Sequence, residues 1–423
     1  MEQKKLIVIG CGSRGKGYSD KTLNMDGKFR IVGIAEPIAE KREYFKKKYG
    51  VPEDMIFESW EPLLALGKIA DAAIISTMDR DHFAPAAAAM REGYDLLLEK
   101  PVCPTKEECI ELYRIAKELG RRVIVCHVLR YTPFFNALKR IIESGMIGKV
   151  MNIQHIEAVG NTHQSHSFVR GKWGNSERSS CMILQKSCHD MDILQWLVGK
   201  RCLSVQSFGS RTYFREENAP KGAPEFCIEG CPEYDSCPYN AVKLYYEDKK
   251  NGWFRGAAAN SHEPTDEAVL EAIKTTNWGR CVFRCDNDVV DHQVVNLEFE
   301  DGIIASFTMS AFTKGGREIR IMGTEGEIIS GMDRDTITHF DFKTRKTEEL
   351  PIRDMLKGNT IVEGHGGGDA GIMNAFYDML CGVDQGNLSD IEISVQNHMI
   401  AFAAEESRLT GKVVAVDDIS FVE

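Results

Sequence analysis

The sequence predicts an α/β domain on a doubly wound parallel sheet, followed by an α+β domain with a large, open, mostly antiparallel sheet. Two observations carry this. Up to residue 126, short apolar runs alternate with helical patterns, the βαβα rhythm that requires crossover helices and parallel strands. Beyond residue 127 strands follow strands with few helices between them, which favours antiparallel pairing. A chain of 423 residues is long enough for two substantial cores. We therefore expect one domain over 1–126 and a second over 127–423, with an irregular insertion at about 216–274.

The first strand is the apolar run Leu6-Ile7-Val8-Ile9 and the second Ile31-Val32-Gly33-Ile34-Ala35. Ala72 to Thr77 reads as a strand, and His82 to Arg91 as an alanine-rich helix stopped by Gly93. Leu96 to Glu99 is a strand, Thr105 with Glu108 forms a capping box for a helix reaching Leu119, and Val123 to Cys126 is the last parallel strand. A short helix, Phe134 to Ser144, ends at Gly145. Val150 to Val159 is extended, a polar loop runs from Gly160 to about Ser180, and Ile183 to Val198 contains a helix closed by Gly199. Val294 to Phe299 and Ile303 to Phe307 flank Asp301-Gly302, a type I′ hairpin cue. Glu318 to Ile321 and Glu327 to Ile329 continue that sheet, and Ala370 to Leu380 and Ile391 to Arg408 read as helices.

The most informative stretch is Gly10-Cys11-Gly12-Ser13-Arg14-Gly15, directly after the first strand. Gly10 permits a tight turn, Gly12 lets the backbone approach a pyrophosphate, and Gly15 lets the following helix pack on the strand. Glu36 ends the second strand, 21 residues beyond Gly15, where a carboxylate would accept from both ribose hydroxyls of NAD and repel the 2′-phosphate of NADP. The pattern predicts a dinucleotide site that prefers NAD.

Composition excludes several classes. There are 52 basic and 63 acidic residues, a net charge of −11, and no basic run with interleaved aromatics, so nucleic acid is not the expected partner. No run of 18 apolar residues occurs and the first apolar run is too short for a signal peptide, so a soluble, cytoplasmic protein without membrane partners is expected. Thirteen cysteines in such a protein argue for thiols or a metal site rather than disulfides.

Glu99-Lys100-Pro101 closes a parallel strand. Ligands of open α/β sheets sit beyond the carboxyl ends of strands, so Lys100 is expected in the crevice that takes nicotinamide, where an ammonium stabilises alkoxide character as hydride leaves.

Taken with the glycine motif, Ser76-Thr77 with His82, Glu99-Lys100-Pro101, and the run Gln185-Lys186-Ser187-Cys188-His189-Asp190-Met191-Asp192, the chain resembles the glucose–fructose oxidoreductase / inositol dehydrogenase (Gfo/Idh/MocA) oxidoreductases. The resemblance spans the chain. It implies a Rossmann domain followed by a mixed-sheet domain, and NAD(P)-dependent oxidation or reduction of a sugar-like polyol. It implies that Lys100 orients the reacting hydroxyl and that His189 moves the proton, a role suited to a pKa near operating pH. Its cofactor residues map onto Gly10, Gly12, Ser13, Arg14, Gly15, Glu36, Ser76, Thr77, His82, Glu99 and Lys100. One departure stands out. Inositol dehydrogenase-like members carry an acid four residues before the histidine, and here that residue is Gln185, whose amide could hold a substrate hydroxyl but cannot act as a base.

Further candidates for the substrate cleft are Lys186, Arg130, Tyr131, His163, His166, Arg170, Trp173 and His365, the last in a Gly-rich turn before Asp369 as N-cap. Cys227, Cys231 and Cys237 crowd together in the insertion, with Cys281 and Cys285 beyond it. Four of them, with Cys285 the preferred fourth, could hold a structural zinc.

The expected activity is a net dehydrogenase acting on a carbohydrate, glycoside or cyclitol. A redox-assisted glycosidase or lyase is the alternative, with Tyr131, His166 or His365 as its second base. A non-catalytic dinucleotide sensor would have no use for Lys100 with His189. A homo-oligomer, dimer or tetramer, is expected through the open face of the second sheet.

Overall fold

A computed structural model describes residues 2–355, 365–383, 386 and 388–419. The first sheet has six strands: β1 (Lys4–Ile9), β2 (Phe29–Ala35), β3 (Ile56–Phe57), β4 (Ala72–Ile75), β5 (Asp95–Leu98) and β6 (Val123–Val125). Their order is β3-β2-β1-β4-β5-β6 and every pair is parallel. Strands β4 and β5 are buried throughout, as expected where helices cover both faces. The order reverses between β1 and β4, which opens a crevice at their carboxyl ends.

The second sheet has nine strands: β7 (Val150–Ala158), β8 (Cys202–Ser210), β9 (His292–Phe299), β10 (Ile304–Ser310), β11 (Gly316–Gly323), β12 (Gly326–Gly331), β13 (Thr336–Asp341), β14 (Thr347–Pro351) and β15 (Val414–Ala415). The order is β14-β13-β12-β11-β7-β10-β9-β8-β15, antiparallel except for the parallel pair β7 and β10. The β9–β10 hairpin turns through Asp301 at φ 61° and Gly302 at φ 72°, the two left-handed residues that a type I′ turn demands.

One face of this sheet packs Ile153, Leu297, Phe307 and Ile321 against the helices Pro133–Glu143 and Cys188–Val198. The other face leaves Ile156, Phe208, Val294 and Ile304 exposed. The helices Gly368–Leu380 and Ile391–Thr410 return to the first sheet. Ile372 and Phe376 join the cluster of Leu6, Val8 and Ile74, while Val395 and Met399 join that of Ile7, Ile9 and Leu98.

Two segments differ from expectation. The stretch expected as a polar loop is helical: Asn161–Ser165, a wide turn over His166–Arg170, and Lys172–Gly174. Residues Gln164 to Arg170 are all buried there, because the insertion folds over them. The insertion itself carries the helices Gly252–Ala259 and Asp266–Thr275 around an apolar centre of Tyr245, Phe254, Val269 and Ile273.

Candidate active site

The glycine loop is shaped by what surrounds it. Gly10 has φ 91°, and a Cβ there would stand 2.5 Å from the Ser76 carbonyl oxygen. A Cβ at Gly15 would stand 2.2 Å from the Gly10 carbonyl oxygen. Ser76 Oγ donates to that same carbonyl at 2.7 Å, so β4 braces the loop. At Gly12 a Cβ would meet nothing within 4 Å. The loop thus leaves room at the start of the helix Ser13–Thr22, whose first N–H groups have no side-chain cap. The carboxylate of Glu36 is held by two backbone donors, Cys11 N at 2.8 Å and Ile38 N at 3.0 Å. Its remaining lone pairs suit ribose hydroxyls. These features fit a dinucleotide. Thr77 lies at the same edge, its Oγ1 donating to the Asp81 carbonyl at 2.9 Å.

The insertion reaches this loop. His262 Nε2 hydrogen-bonds the Cys11 carbonyl at 2.7 Å, and its ring packs on Tyr44 at 4.8 Å. Asn260 Oδ1 accepts from Lys41 Nζ at 2.8 Å, and Ser261 Oγ donates to Glu40 at 3.2 Å. A turn of the second domain is therefore fastened beside the cofactor loop of the first.

Lys100 stands beyond the end of β5, between the domains. Its backbone N–H donates to Glu99 Oε2 at 3.0 Å and its Nζ donates to the Gln185 carbonyl at 2.8 Å. That carbonyl ends the short helix Met182–Gln185, and a cation suits such an end. The break at Lys186-Ser187 then starts the helix Cys188–Val198, with His189 in its first turn and 8% exposed. Glu99 is buried. Burial alone would raise its pKa, but Arg14 and Lys100 hold it below the usual carboxylate range. Arg14 Nε donates to Glu99 at 2.7 Å and Arg14 Nη2 to Asp369 at 2.8 Å, so Arg14 and Glu99 pin the lysine's backbone.

Beside His189 lies a buried charge network. Arg317, on β11, donates from Nε to Asp190 at 2.8 Å and also pairs with Glu157. Lys186 Nζ lies 3.3 Å from Glu157, and His155 Nε2 lies 2.8 Å from Asp190. Burial alone would raise the Asp190 pKa, but Arg317 and His155 hold it well below the usual range. Burial lowers Lys186, and Glu157 opposes that shift.

Several side chains expected in the cleft are engaged elsewhere. The Gln185 amide donates to the Trp173 carbonyl at 2.8 Å and accepts from Ser179 Oγ at 2.9 Å, so it is not offered to a substrate. Arg130 makes a two-point ion pair with Asp192, both bonds 2.7 Å, and is 3% exposed. Tyr131 bonds Ser389 at 3.0 Å. His82 Nδ1 contacts the Pro101 carbonyl at 2.7 Å in a buried position and braces that turn instead of facing a cofactor. His166 stacks on Phe254 at 4.0 Å, and burial holds it down to about 3, so it belongs to the insertion's core. His365 begins a short turn, and its side chain lies outside the described residues.

The zinc expectation is also corrected. Among the described residues no group of three or more His, Cys, Asp or Glu side chains could hold a metal ion. Cys227, Cys231, Cys237 and Cys281 do line one small cavity, but Arg170 shares it. Arg170 Nη2 lies 3.6 Å from Cys227 Sγ and donates to the Tyr239 carbonyl at 2.7 Å, while Nε donates to the Arg280 carbonyl at 2.8 Å. A guanidinium held by two carbonyls thus lies against the cysteine-lined cavity. Arg170 is thus the insertion's anchor and does not reach the cleft.

Sequence reasoning missed His127, Arg317, His155 and Asp79. His127 follows the carboxyl end of β6, so the strand-end rule that marked Lys100 could have marked it. Arg317 carried a weaker signal, as a charge next to Glu157 across the β7–β11 pairing. Asp79 accepts from Trp173 Nε1 at 3.2 Å and from Ser179 Oγ, and no local pattern announces it.

The glycine loop and Glu36 fit a dinucleotide at the carboxyl ends of the first sheet, and Lys100 leaves the end of β5 at that same edge to reach the Gln185 carbonyl. The family comparison gives the same answer. Residues 4–127 match the model described as an oxidoreductase family, NAD-binding Rossmann fold, and residues 135–329 match the GFO/IDH/MocA C-terminal domain. The chain belongs to the Gfo/Idh/MocA family. Among curated relatives, the Bacillus subtilis protein named oxidoreductase YteT is 24% identical over 409 residues, covering 91% of this chain and 93% of its own. Inositol 2-dehydrogenase of Corynebacterium glutamicum is 26% identical over 200 residues, covering 47% of this chain and 55% of its own. Among solved structures, levoglucosan dehydrogenase with NADH and levoglucosan has a TM-score of 0.71 at 18% identity, covering 99% of this chain and 100% of that one. The WlbA dehydrogenase of Bordetella pertussis, with NADH and UDP-GlcNAcA, has a TM-score of 0.69 at 17% identity, each chain covered to 99%. No helix among the described residues is long and apolar enough to cross a membrane.

Proposed function

We propose that this chain is an NAD-dependent dehydrogenase that interconverts a CH–OH group and a carbonyl on a carbohydrate, glycoside or cyclitol. The observation that carries the reading is the placement of Lys100 at the Gln185 carbonyl, one turn from His189, beyond the strand ends of a dinucleotide fold. The molecules named with relatives, inositol in one enzyme's name and levoglucosan and UDP-GlcNAcA in two complexes, support the class. NAD, when bound, supplies the hydride acceptor. Gly10, Gly12, Gly15 and the start of the helix at Ser13 would hold its pyrophosphate, and Glu36 its ribose, with NAD preferred over NADP. Lys100 donates a hydrogen bond to the reacting oxygen and His189 takes the hydroxyl proton. Lys186 and Arg317, held by Glu157 and Asp190, set the field of that corner.

One observation favours a second reading, redox-assisted cleavage with a retained cofactor: the Asn260–His262 turn fastened to the cofactor loop. Turnover with a panel of polyols and glycosides in D₂O separates the two. Net dehydrogenation accumulates NADH in proportion to product. Solvent deuterium in a cleaved sugar without NADH would replace our reading by the second.

We also propose that a second copy covers the exposed face carrying Phe208 and Ile304, which are 58% and 51% exposed. Light scattering should report a dimer or tetramer, and Phe208→Asp with Ile304→Glu should yield monomer. A monomeric native chain would reject this.

A further inference from the structure

Behind His189 stands a histidine that the mechanism above leaves unused. His127 is fully buried, and among the described residues neither of its ring nitrogens has a hydrogen-bond partner. Two histidine rings meet it edge-on, His189 at 5.7 Å and 81° and His398 at 5.7 Å and 68°. His398 has nothing to offer it. The Val102 N–H donates to His398 Nε2 at 2.9 Å, and His398 Nδ1 is 2.6 Å from the Ser394 carbonyl, so both nitrogens and the tautomer are fixed. Of the two rings, this leaves His189 as the partner to consider for His127.

We propose that His127 is the positioning residue of His189: when substrate engages His189, the ring nitrogen turned away from it closes a hydrogen bond to His127, and this fixes the tautomer and orientation with which His189 meets the hydroxyl. This rests on the reading of His189 as the proton carrier. As His189 accepts the hydroxyl proton at one nitrogen, the N–H at its other nitrogen donates to the lone pair of His127, and no proton passes further. A buried polar group left without partners is costly, and such groups are kept where they serve a site. The need is evident here, because the Gln185 amide is spent on Trp173 and Ser179. The charged groups around His127 are Lys100 and Arg130 as cations, and Asp192 and Glu99 as carboxylates. Burial, with help from the two cations, pushes His127 down to about 4, so it stays neutral when His189 cycles.

The test compares His127→Phe and His127→Asn with native protein. Histidine-selective NMR follows the titration of His189 without turnover, steady-state kinetics gives kcat, KM and their pH dependence, and NAD affinity is measured by calorimetry. His127→Phe should lower kcat roughly ten- to a hundredfold, in line with partners that orient functional histidines. NAD affinity should be unchanged, and the acid limb of the pH profile and the His189 titration should move together. His127→Asn, which keeps a hydrogen-bonding group, should recover part of kcat; should the Phe variant not fold, the Asn variant carries the test through the His189 signal. An unmoved His189 titration and pH profile in a folded variant overturns the proposal. His189→Ala is the control: if it turns over normally, the reading of the whole site fails, whereas its inactivity beside a normal His127→Phe sinks only this inference.

Discussion

Lys100→Ala and His189→Ala are each expected to lower kcat by roughly 10²–10⁴, the usual contribution of a positioned acid–base group. The two losses should differ in kind. Lys100 Nζ bonds the Gln185 carbonyl and spans the domain interface, so its removal also frees that carbonyl. Lys100→Arg should not restore activity, because a planar fork cannot replace a compact ammonium at one carbonyl. His189 sits in the first turn of its helix, and the helix is packed through Met191, Ile193 and Leu194, so alanine there should fold normally. NAD should still bind both variants, because Gly10, Gly12, Gly15 and Glu36 stay in place in each. Calorimetric titration with NAD, followed by initial rates on the best substrate, checks this; near-native turnover in both variants would place the chemistry elsewhere.

The second large effect is expected at Gly12. A Cβ there meets nothing in the protein within 4 Å, so Gly12→Val should fold with native melting behaviour. Its branched side chain would fill the space left for the pyrophosphate. Overpacking of this kind costs about 1–3 kcal/mol, which corresponds to a loss of NAD affinity of about five- to 150-fold. Gly15→Val would not be a clean control, because its Cβ collides with the Gly10 carbonyl and would damage the fold itself. Glu36→Ala should act differently, weakening NAD while narrowing the gap between NAD and NADP. Unchanged NAD affinity in a folded Gly12→Val would remove the dinucleotide from this loop.

The sequence made legible what depends on local patterns. The parallel strands, the glycine loop, Glu36 and Lys100 all follow from short-range rules: apolar runs, turn glycines and strand ends. The hairpin at Asp301-Gly302 follows equally from two residues that tolerate positive φ. What the sequence hid depends on distant partners. His166 and Arg170 carry the right chemistry for a sugar cleft, but the insertion, dozens of residues later, folds over them and turns them into core. Arg130 reads as a substrate arginine until Asp192 is seen beside it. Asp190 and Asp192 lie two apart on one helix, so they face different neighbours, Arg317 and Arg130 respectively. The cysteines converge as their crowding suggested, but a cation already lies among them.

The return of the helix Ile391–Thr410 to the first sheet has a consequence for how this protein is made. Val102 N donates to His398 across 296 positions of chain, and Val395 and Met399 complete the apolar cluster that holds Ile7 and Leu98. During translation the first six strands leave the ribosome long before their covering helix does. Their sheet waits with one wall incomplete while the chain from Val125 to Ile391 is synthesised, including β7 to β14 and the insertion. Contacts of such separation close late and leave apolar surface open in the meantime. The nucleotide-binding half is therefore first in sequence and among the last parts to be finished.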